Sequence, residues 1–246
     1  MERERPNIVI IIQARMESTR LPGKVLMPVL GKPLLAYLIE RVRNVKNADK
    51  IIIATTKNSA DDEIERFCRA QGLLVFRGSV DDVLARYRDV AILTQANVIV
   101  RITGDCPLID PLVVDKVIQF YLDHSFDYVG NTLTLSYPRG MDTEVFSYKT
   151  LLSAFQKASR AEEREHVTLY IYQHPEQFKV ANVPYITDKS GYRLTVDTKE
   201  DFILVKTIIK KLYPANPKFS LEDILTLLEQ DPSLAKINSH IIQKKG

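Results

Sequence analysis

The chain has 246 residues, of which 45% are hydrophobic and 26% charged, and it carries a formal net charge of +3. Such usage is that of an ordinary globular protein and excludes a disordered tail, a collagen-like fibre and a coiled coil. A charge this small and unclustered argues against a nucleic-acid partner. The two cysteines, Cys68 and Cys106, have no metal-site spacing and make no disulfide framework, which fits a reducing cytoplasm.

In chain order, Met1 to Asn7 is charged and leads into Ile8-Val9-Ile10-Ile11-Ile12. Five apolar residues are too few for a signal peptide or a membrane span, so a cytoplasmic chain without a membrane partner is expected. Asn7 to Gln13 reads as a buried strand, short, β-branched and unalternated. Leu34, Leu35, Leu38, Ile39, Val42 and Val45 recur at helical spacing behind Pro33. Ile51 to Ala54 is a second strand, and Asp61 to Gln71 a helix closed by Gly72. Leu73 to Phe76, Asp81 to Thr94 and Asn97 to Ile102 continue as strand, helix and strand. Pro111 to Asp123 is a helix capped by Asp110. Farther on, the pattern predicts strands at Asp127 to Gly130, Glu144 to Phe146, Phe178 to Val183 and Arg193 to Val196. Helices are expected at Tyr148 to Lys157, Ala161 to Gln173 and Lys199 to Leu212, and Ser220 caps a last one at Leu221 to Gln230.

The alternation predicts an α/β protein of three layers, a mostly parallel sheet with helices on both faces. No stretch reads as a linker, so one domain over 1–246 is expected. In such sheets ligands sit beyond the carboxyl ends of the strands. That directs interest to Ala14–Gly31, Thr55–Ser59, Arg77–Asp82 and Thr103–Asp110.

The densest of these stretches is Gln13-Ala-Arg-Met-Glu-Ser-Thr-Arg-Leu-Pro-Gly-Lys24. Arg15, Arg20 and Lys24 stand among Ser18, Thr19 and Gly23, a combination of fixed cations and approachable backbone that suits a polyphosphate. It matches neither the Walker pattern nor the dinucleotide fingerprint, so an ordinary ATPase or dehydrogenase is disfavoured. A solvated basic loop is the plain alternative. After the fourth strand, Gly104 and Asp105 offer close ligand approach and a carboxylate suited to Mg²⁺, although an Asp before Pro107 is also a common turn residue. Asp197, ending Arg193-Leu-Thr-Val-Asp197, reads either as a helix cap with Glu200 or as a second carboxylate for the metal, and the two are compatible. Cys106 is assigned to packing, and the stripe Leu221, Ile224, Leu225, Leu228 to core or a homodimer face.

Taken together, Gln13 to Leu26 resembles the signature loop of the cytidylyltransferases that make CMP-activated acid sugars, in the branch of the spore coat polysaccharide biosynthesis protein F type. Supporting stretches are Ile51–Thr56, Phe76–Leu84, Val100–Pro111, Arg164–Thr168 and Leu194–Asp197. The likeness runs from about residue 7 to about residue 212 and leaves the C-terminus uncovered. It implies a nucleotide-diphospho-sugar transferase (Rossmann-like) fold, CTP as substrate and Mg²⁺ as cofactor. It places the nucleotide in 7–125 and the acceptor in 126–212, with a helical extension at 213–246. The resemblance assigns Arg15, Arg20 and Lys24 to the triphosphate, and Asp105 and Asp197 to the metal. Gln13, Ala14, Thr55 and Arg77 fall near the base or ribose. Arg139, Asp142, Glu144, Arg164 and His166 face a small-molecule acceptor, an acid sugar or phosphorylated compound. A glycosyltransferase on the same fold is the competing reading, yet Gly104-Asp105-Cys106 holds one carboxylate where such enzymes usually carry an Asp-x-Asp pair. A non-catalytic nucleotide-binding subunit is a third reading, disfavoured by the full set of phosphate and metal residues.

Overall fold

The structure, a computed structural model, describes residues 5–242. The first four residues of the charged N-terminus and the last four of the C-terminal extension lie outside them. Along the chain, β1 is Ile8–Gln13, β2 Pro28–Val29, β3 Lys32–Pro33, α1 Leu34–Val42, β4 Lys50–Thr56 and α2 Asp62–Ala70. Then come β5 (Leu74–Gly78), α3 (Val83–Thr94), β6 (Val98–Thr103), α4 (Pro111–Asp123), β7 (Tyr128–Gly130) and β8 (Glu144–Ser147). The remainder is α5 (Tyr148–Lys157), α6 (Ala161–Glu165), α7 (Leu169–Gln173), β9 (Val180–Asn182), α8 (Lys199–Leu212), α9 (Leu221–Gln230) and α10 (Pro232–Lys236).

The main sheet has the order β5-β4-β1-β6-β8-β7-β9. Its first four strands are parallel, β8 runs antiparallel between β6 and β7, and β9 is parallel to β7. β1 lies in the middle, paired on both sides, and Ile8 to Ile12 are wholly buried. Strand alternation splits them between two cores. Ile8, Ile10 and Ile12 pack with α1, α2 and α4, whereas Val9 and Ile11 pack with α3, α5 and α7. The expected three-layer architecture follows from this division.

From β1 the chain crosses to β4 and β5 on one side and then returns to β6 on the other. The order therefore reverses at the β1–β6 seam, and a crevice opens beyond the carboxyl ends of these two strands. There Gly104 N donates to Gln13 O at 2.8 Å. A Cβ at Gly104 would lie 2.9 Å from both the Ala14 Cβ and the Gln13 carbonyl oxygen, so the glycine lets the two strand ends meet.

A third core lies beside the sheet. It joins Leu21, Val29, Leu34 and Tyr37 to Leu194, Val196 and the inner faces of α8 and α9. The stripe Leu221, Ile224, Leu225, Leu228 is buried here within the chain, so its apolar face is used internally. Asp110 ties this region down by capping two helices, Oδ1 accepting from Leu112 N (2.8 Å) and Oδ2 from Leu221 N (2.6 Å).

Several local expectations change. The helix expected over 161–173 breaks into α6 and α7, with His166 as the non-helical cap between them at φ −98°, ψ 51°. Arg193 to Val196 forms no strand; Arg193 makes a single parallel bridge to Arg139. The capping box falls one residue later than expected, on Thr198 and Asp201 rather than Asp197 and Glu200. The β2–β3 hairpin is an addition to the expected elements, and Pro33, expected only at the start of the helix, also pairs with Pro28. Its two central residues, Leu30 (φ 48°) and Gly31 (φ 76°), are both left-handed, the geometry of a tight two-residue turn.

Candidate active site

A cleft of about 790 Å³ opens over the β1–β6 seam. It is lined by Gln13, Ala14, Arg15, Arg20, Lys24, Gly104, Asp105, Arg139, Asp142, Glu144, His166 and Asp197 among the residues expected from sequence. A smaller hollow, about 420 Å³, lies at the opposite, amino-terminal ends of β4 and β5, away from all of these residues.

The basic loop after β1 is staked at three points. Met16 N donates to Asp61 Oδ1 (2.7 Å), Leu21 is buried in the third core, and Gly23 N donates to Met16 O (2.8 Å). Gly23 takes φ 71° and starts the 3₁₀ turn Lys24–Leu26. That turn buries the Lys24 stem and aims its ammonium at the mouth of the seam.

Lys24 Nζ donates to Asp105 Oδ2 and to Asp197 Oδ1, each at 2.7 Å. The two carboxylates are far apart in sequence and meet because segment 194–196 is stapled to its neighbours. Val196 N donates to Asp105 O (2.8 Å), Thr195 Oγ1 donates to the same carbonyl (3.2 Å), and Leu194 N donates to Arg139 O (2.7 Å). Gly140 permits the approach. It takes φ 102°, and a Cβ there would sit 2.7 Å from the Leu194 carbonyl carbon. The shift of the capping box leaves the Asp197 side chain free of helix duty. Its Oδ2 is paired with Arg20 (3.0 Å) and Arg193 (2.6 Å).

Burial pushes the Lys24 ammonium towards neutrality, but Asp105 and Asp197 outweigh it and hold its pKa above the ordinary value of 10.5. Burial pushes the Asp105 carboxyl up, and Lys24, helped by hydrogen bonds from Thr103 and the backbone, more than offsets this, leaving it below its ordinary 3.8. Both groups are therefore charged at neutral pH. Two carboxylates converging on one cation fit a hard divalent ion, since Mg²⁺ takes one or two carboxylates and completes its shell with phosphate oxygens and water. Among the described residues, no group of three or more His, Cys, Asp or Glu forms a denser metal site.

On the far wall, Glu144 is buried with both oxygens engaged. Oε2 pairs with Arg101, and Oε1 accepts from Tyr128 (2.7 Å) and Thr168 (2.5 Å). Burial pushes the Glu144 carboxyl up, but Arg101 and these hydroxyls hold it below the usual range. Glu144 thus builds the cleft floor, leaving Arg139, Asp142 and His166 as the more open groups. Burial, with Glu144 and Asp105 nearby, raises the Asp142 carboxyl despite Arg139 at 3.4 Å. Arg15 reaches across to Glu165 at 3.6 Å, both half-exposed.

Three expected residues are not brought to the cleft. Thr55 is fully buried in β4, one strand away from the seam. Arg77 is on the edge strand β5 and turns towards α2, pairing with Asp62 (2.5 Å) and Glu65 (2.9 Å) and donating to Thr56 O and Asn58 O. Arg164 pairs with Asp82 and lies over the Phe155 ring at 4.3 Å. Conversely, the cleft holds Arg86 and Arg101, which sequence reasoning passed over. Arg101 had a visible signal, a lone cation inside the apolar run Val98–Thr103. Cys106 is buried, and burial raises its thiol well above the usual range, as suits a packing residue.

The chain is 40% identical to the spore coat polysaccharide biosynthesis protein SpsF of Bacillus subtilis, over 93% of this chain and 97% of that protein. Its fold superposes on a cytidylyltransferase from Leptospira borgpetersenii with a TM-score of 0.90 at 33% identity, covering 98% of this chain and all of the other. It also resembles a CMP:2-keto-3-deoxy-manno-octonic acid synthetase solved with CTP, with a TM-score of 0.65 at 20% identity over 83% of this chain and 99% of the other, a likeness of fold alone. The fold is that of the nucleotide-diphospho-sugar transferases. The cytidylyltransferase family pattern matches residues 9–238, carrying the likeness through the C-terminal helices that the sequence motifs left uncovered. The chain therefore belongs to the cytidylyltransferase family and is a nucleotidyltransferase.

Proposed function

We propose that the protein transfers CMP from CTP to an acid sugar or phosphorylated acceptor with release of pyrophosphate, in the biosynthesis of a surface polysaccharide or glycoconjugate, and that it depends on Mg²⁺. One transferase unit would do this, with the nucleotide on the 7–125 half and the acceptor on the 126–212 half. The observation that carries the reading is the convergence of Lys24, Asp105 and Asp197 at the β1–β6 seam beneath the Arg15–Arg20 loop.

In this reading an acceptor oxygen attacks the α-phosphorus of CTP and pyrophosphate leaves in line. Positioning and charge stabilisation carry such chemistry. Arg15, Arg20 and Lys24 hold the phosphate oxygens, and Lys24 meets the charge that builds on the leaving group. Asp105 and Asp197 would hold Mg²⁺, which when bound supplies charge neutralisation at the phosphates. Arg139 and His166 face the acceptor, and Asp142 is placed to take a hydrogen bond or a proton from its hydroxyl. A partly buried carboxyl whose pKa is raised suits that task.

The test combines two assays. CTP with Mg²⁺ is expected to raise Tm by roughly 5–10 °C at saturation, and EDTA to abolish the gain. A panel of acid sugars and sugar phosphates is then scored by CTP-dependent pyrophosphate release. Turnover of a nucleotide-sugar with no pyrophosphate from CTP and any acceptor would sink the proposal in favour of glycosyl transfer.

A further inference from the structure

Arg86, on α3, has no task in the chemistry above. It is 2% exposed, and its Nε and Nη1 are enclosed without a hydrogen-bond partner among the described residues. The carboxylates nearest to it are already committed. Asp82 pairs with Arg164 and caps α3 through Ala85 N (2.8 Å). Asp61 accepts from Met16 N (2.7 Å), from Thr56 N (3.1 Å) and from the Thr56 hydroxyl. The neighbouring Arg15 is another cation, and burial together with Arg15 lowers the pKa of Arg86. A buried guanidinium with unmet donors is costly and calls for a ligand or another explanation.

Arg86 is held by packing instead. Its stem runs under Gly78, where a Cβ would lie 2.5 Å from Arg86 Cγ and 3.2 Å from Cδ. The glycine at the end of β5 is thus a slot for this side chain. With Val83, Gln13 and Ala14, Arg86 makes the α3 side of the cleft. Arg20, Lys24, Asp105 and Asp197 form an ion cluster in the same cleft that Arg86 does not join. A nucleoside triphosphate whose terminal phosphates lie on Arg20 and Lys24 runs past Arg15 and has its base towards the α3 side.

We propose that Arg86 selects the base, its guanidinium N–H groups donating to the adjacent acceptors O2 and N3 of cytosine. A planar pair of donors matches two neighbouring acceptors on one ring edge. Uracil carries an N–H at position 3, so donor would face donor and the pair fails. This inference rests on the proposed placement of the triphosphate on the basic loop.

Isothermal titration with Mg²⁺ present tests it with CTP, UTP, 3-deazacytidine triphosphate and inorganic tripolyphosphate. In the wild-type protein, 3-deazacytidine triphosphate, which lacks only the N3 acceptor, is expected to bind about ten- to hundredfold more weakly than CTP. Arg86→Lys keeps the charge and loses the planar pair. It is expected to bring CTP affinity down to that of UTP and leave tripolyphosphate unchanged. Equal binding of CTP and its 3-deaza analogue by the wild-type protein overturns the proposal, and that arm does not depend on the variant folding. Equal losses for CTP, UTP and tripolyphosphate in Arg86→Lys also overturn it and move the guanidinium to the phosphates. Wild-type protein that binds neither CTP nor tripolyphosphate fails the site reading itself and this inference with it. CTP binding that ignores N3 fails the Arg86 assignment alone.

Discussion

Replacing Lys24 with Met isolates the ion triad at the seam. The substitution keeps most of the buried stem and removes the ammonium. Asp197 loses one of three cations and keeps Arg20 at 3.0 Å and Arg193 at 2.6 Å. Asp105 loses the one ion-pair partner recorded for it among the described residues. Removing one member of a buried pair costs about 3–5 kcal/mol, and the partial exposure of Asp105 places this case near 3. For a chain of this size each kcal/mol moves Tm by roughly 2–4 °C, so a loss of about 6–12 °C is expected at pH 7. The pH dependence has a definite sign. In the wild type, Asp105 lies below 3.8, so its contribution is present above that value and is lost as pH falls through the native pKa. Lys24 lies above 10.5, so its contribution is present below that value and is lost as pH rises through the native pKa. Without Lys24, burial raises Asp105, and the variant loses stability as pH rises through that raised value. The gap between wild type and variant should therefore be larger at neutral pH than at mildly acid pH, as read by differential scanning calorimetry at both. Millimolar Mg²⁺ without nucleotide should recover more of the variant's Tm than it adds to the wild type, because it takes the place of the missing cation between the carboxylates. A loss under about 2 °C at pH 7, or a gap that does not change with pH, would refute the reasoning.

Asp105→Ala is expected to lower kcat by roughly 10²-fold or more, as removal of a charge-stabilising group does, and near-wild-type pyrophosphate release from the folded variant would end its assignment to the metal. Gly140→Ala puts a Cβ 2.7 Å from the Leu194 carbonyl carbon at a left-handed φ, so it should lower Tm and raise KM for CTP together by displacing the segment that carries Asp197. A Tm loss with unchanged KM would separate that segment from the site. Arg77→Ala should take a few degrees or less from Tm and leave CTP affinity within twofold, about 0.4 kcal/mol, because Arg77 serves α2 and not the cleft. A marked loss of CTP binding would return Arg77 to the nucleotide.

The sequence made the central sheet legible because β1, β4 and β6 are largely buried on both faces and read as short apolar runs, broken in β6 only by Arg101. It also located the ends of β1 and β6, and hence Lys24 and Asp105, whereas Asp197 was picked out at the end of a strand that does not form. Direction was not legible. Arg77 lies near the end of β5 and Arg86 soon after it in sequence, yet β5 is the edge of the sheet, so Arg77 turns outward to Asp62 and Glu65 while Arg86, one helix turn into α3, faces inward. Which of two nearby arginines meets a ligand depends on strand order, and strand order is a tertiary property. Thr55 was misjudged for the same reason, since β4 and β6 flank β1 on opposite sides and the crevice lies on only one of them. Local competition hid the rest. Asp197 and Thr198 are both good helix caps, and the choice of Thr198 was decided by Asp201, which accepts from both Asp197 N and Thr198 N. The β2–β3 hairpin was masked by prolines that tolerate an isolated two-stranded ribbon but would not suit a central strand.

The staple between Asp105 O and segment 195–196 sets an order of events during synthesis. The basic loop, the seam and the first carboxylate all leave the ribosome within the first 105 residues. The second carboxylate lies about 90 residues farther on. At roughly 5–20 residues per second, the first half spends roughly 5–20 s with Lys24 paired to Asp105 alone. During that interval the strands β1, β4, β5 and β6 can already pair, but the carboxylate pair around Lys24 is half made. Completion of the ion cluster is thereby tied to near-completion of the chain, and a nascent or truncated product ending before Asp197 would carry the basic loop and Lys24 with only one of its two carboxylates.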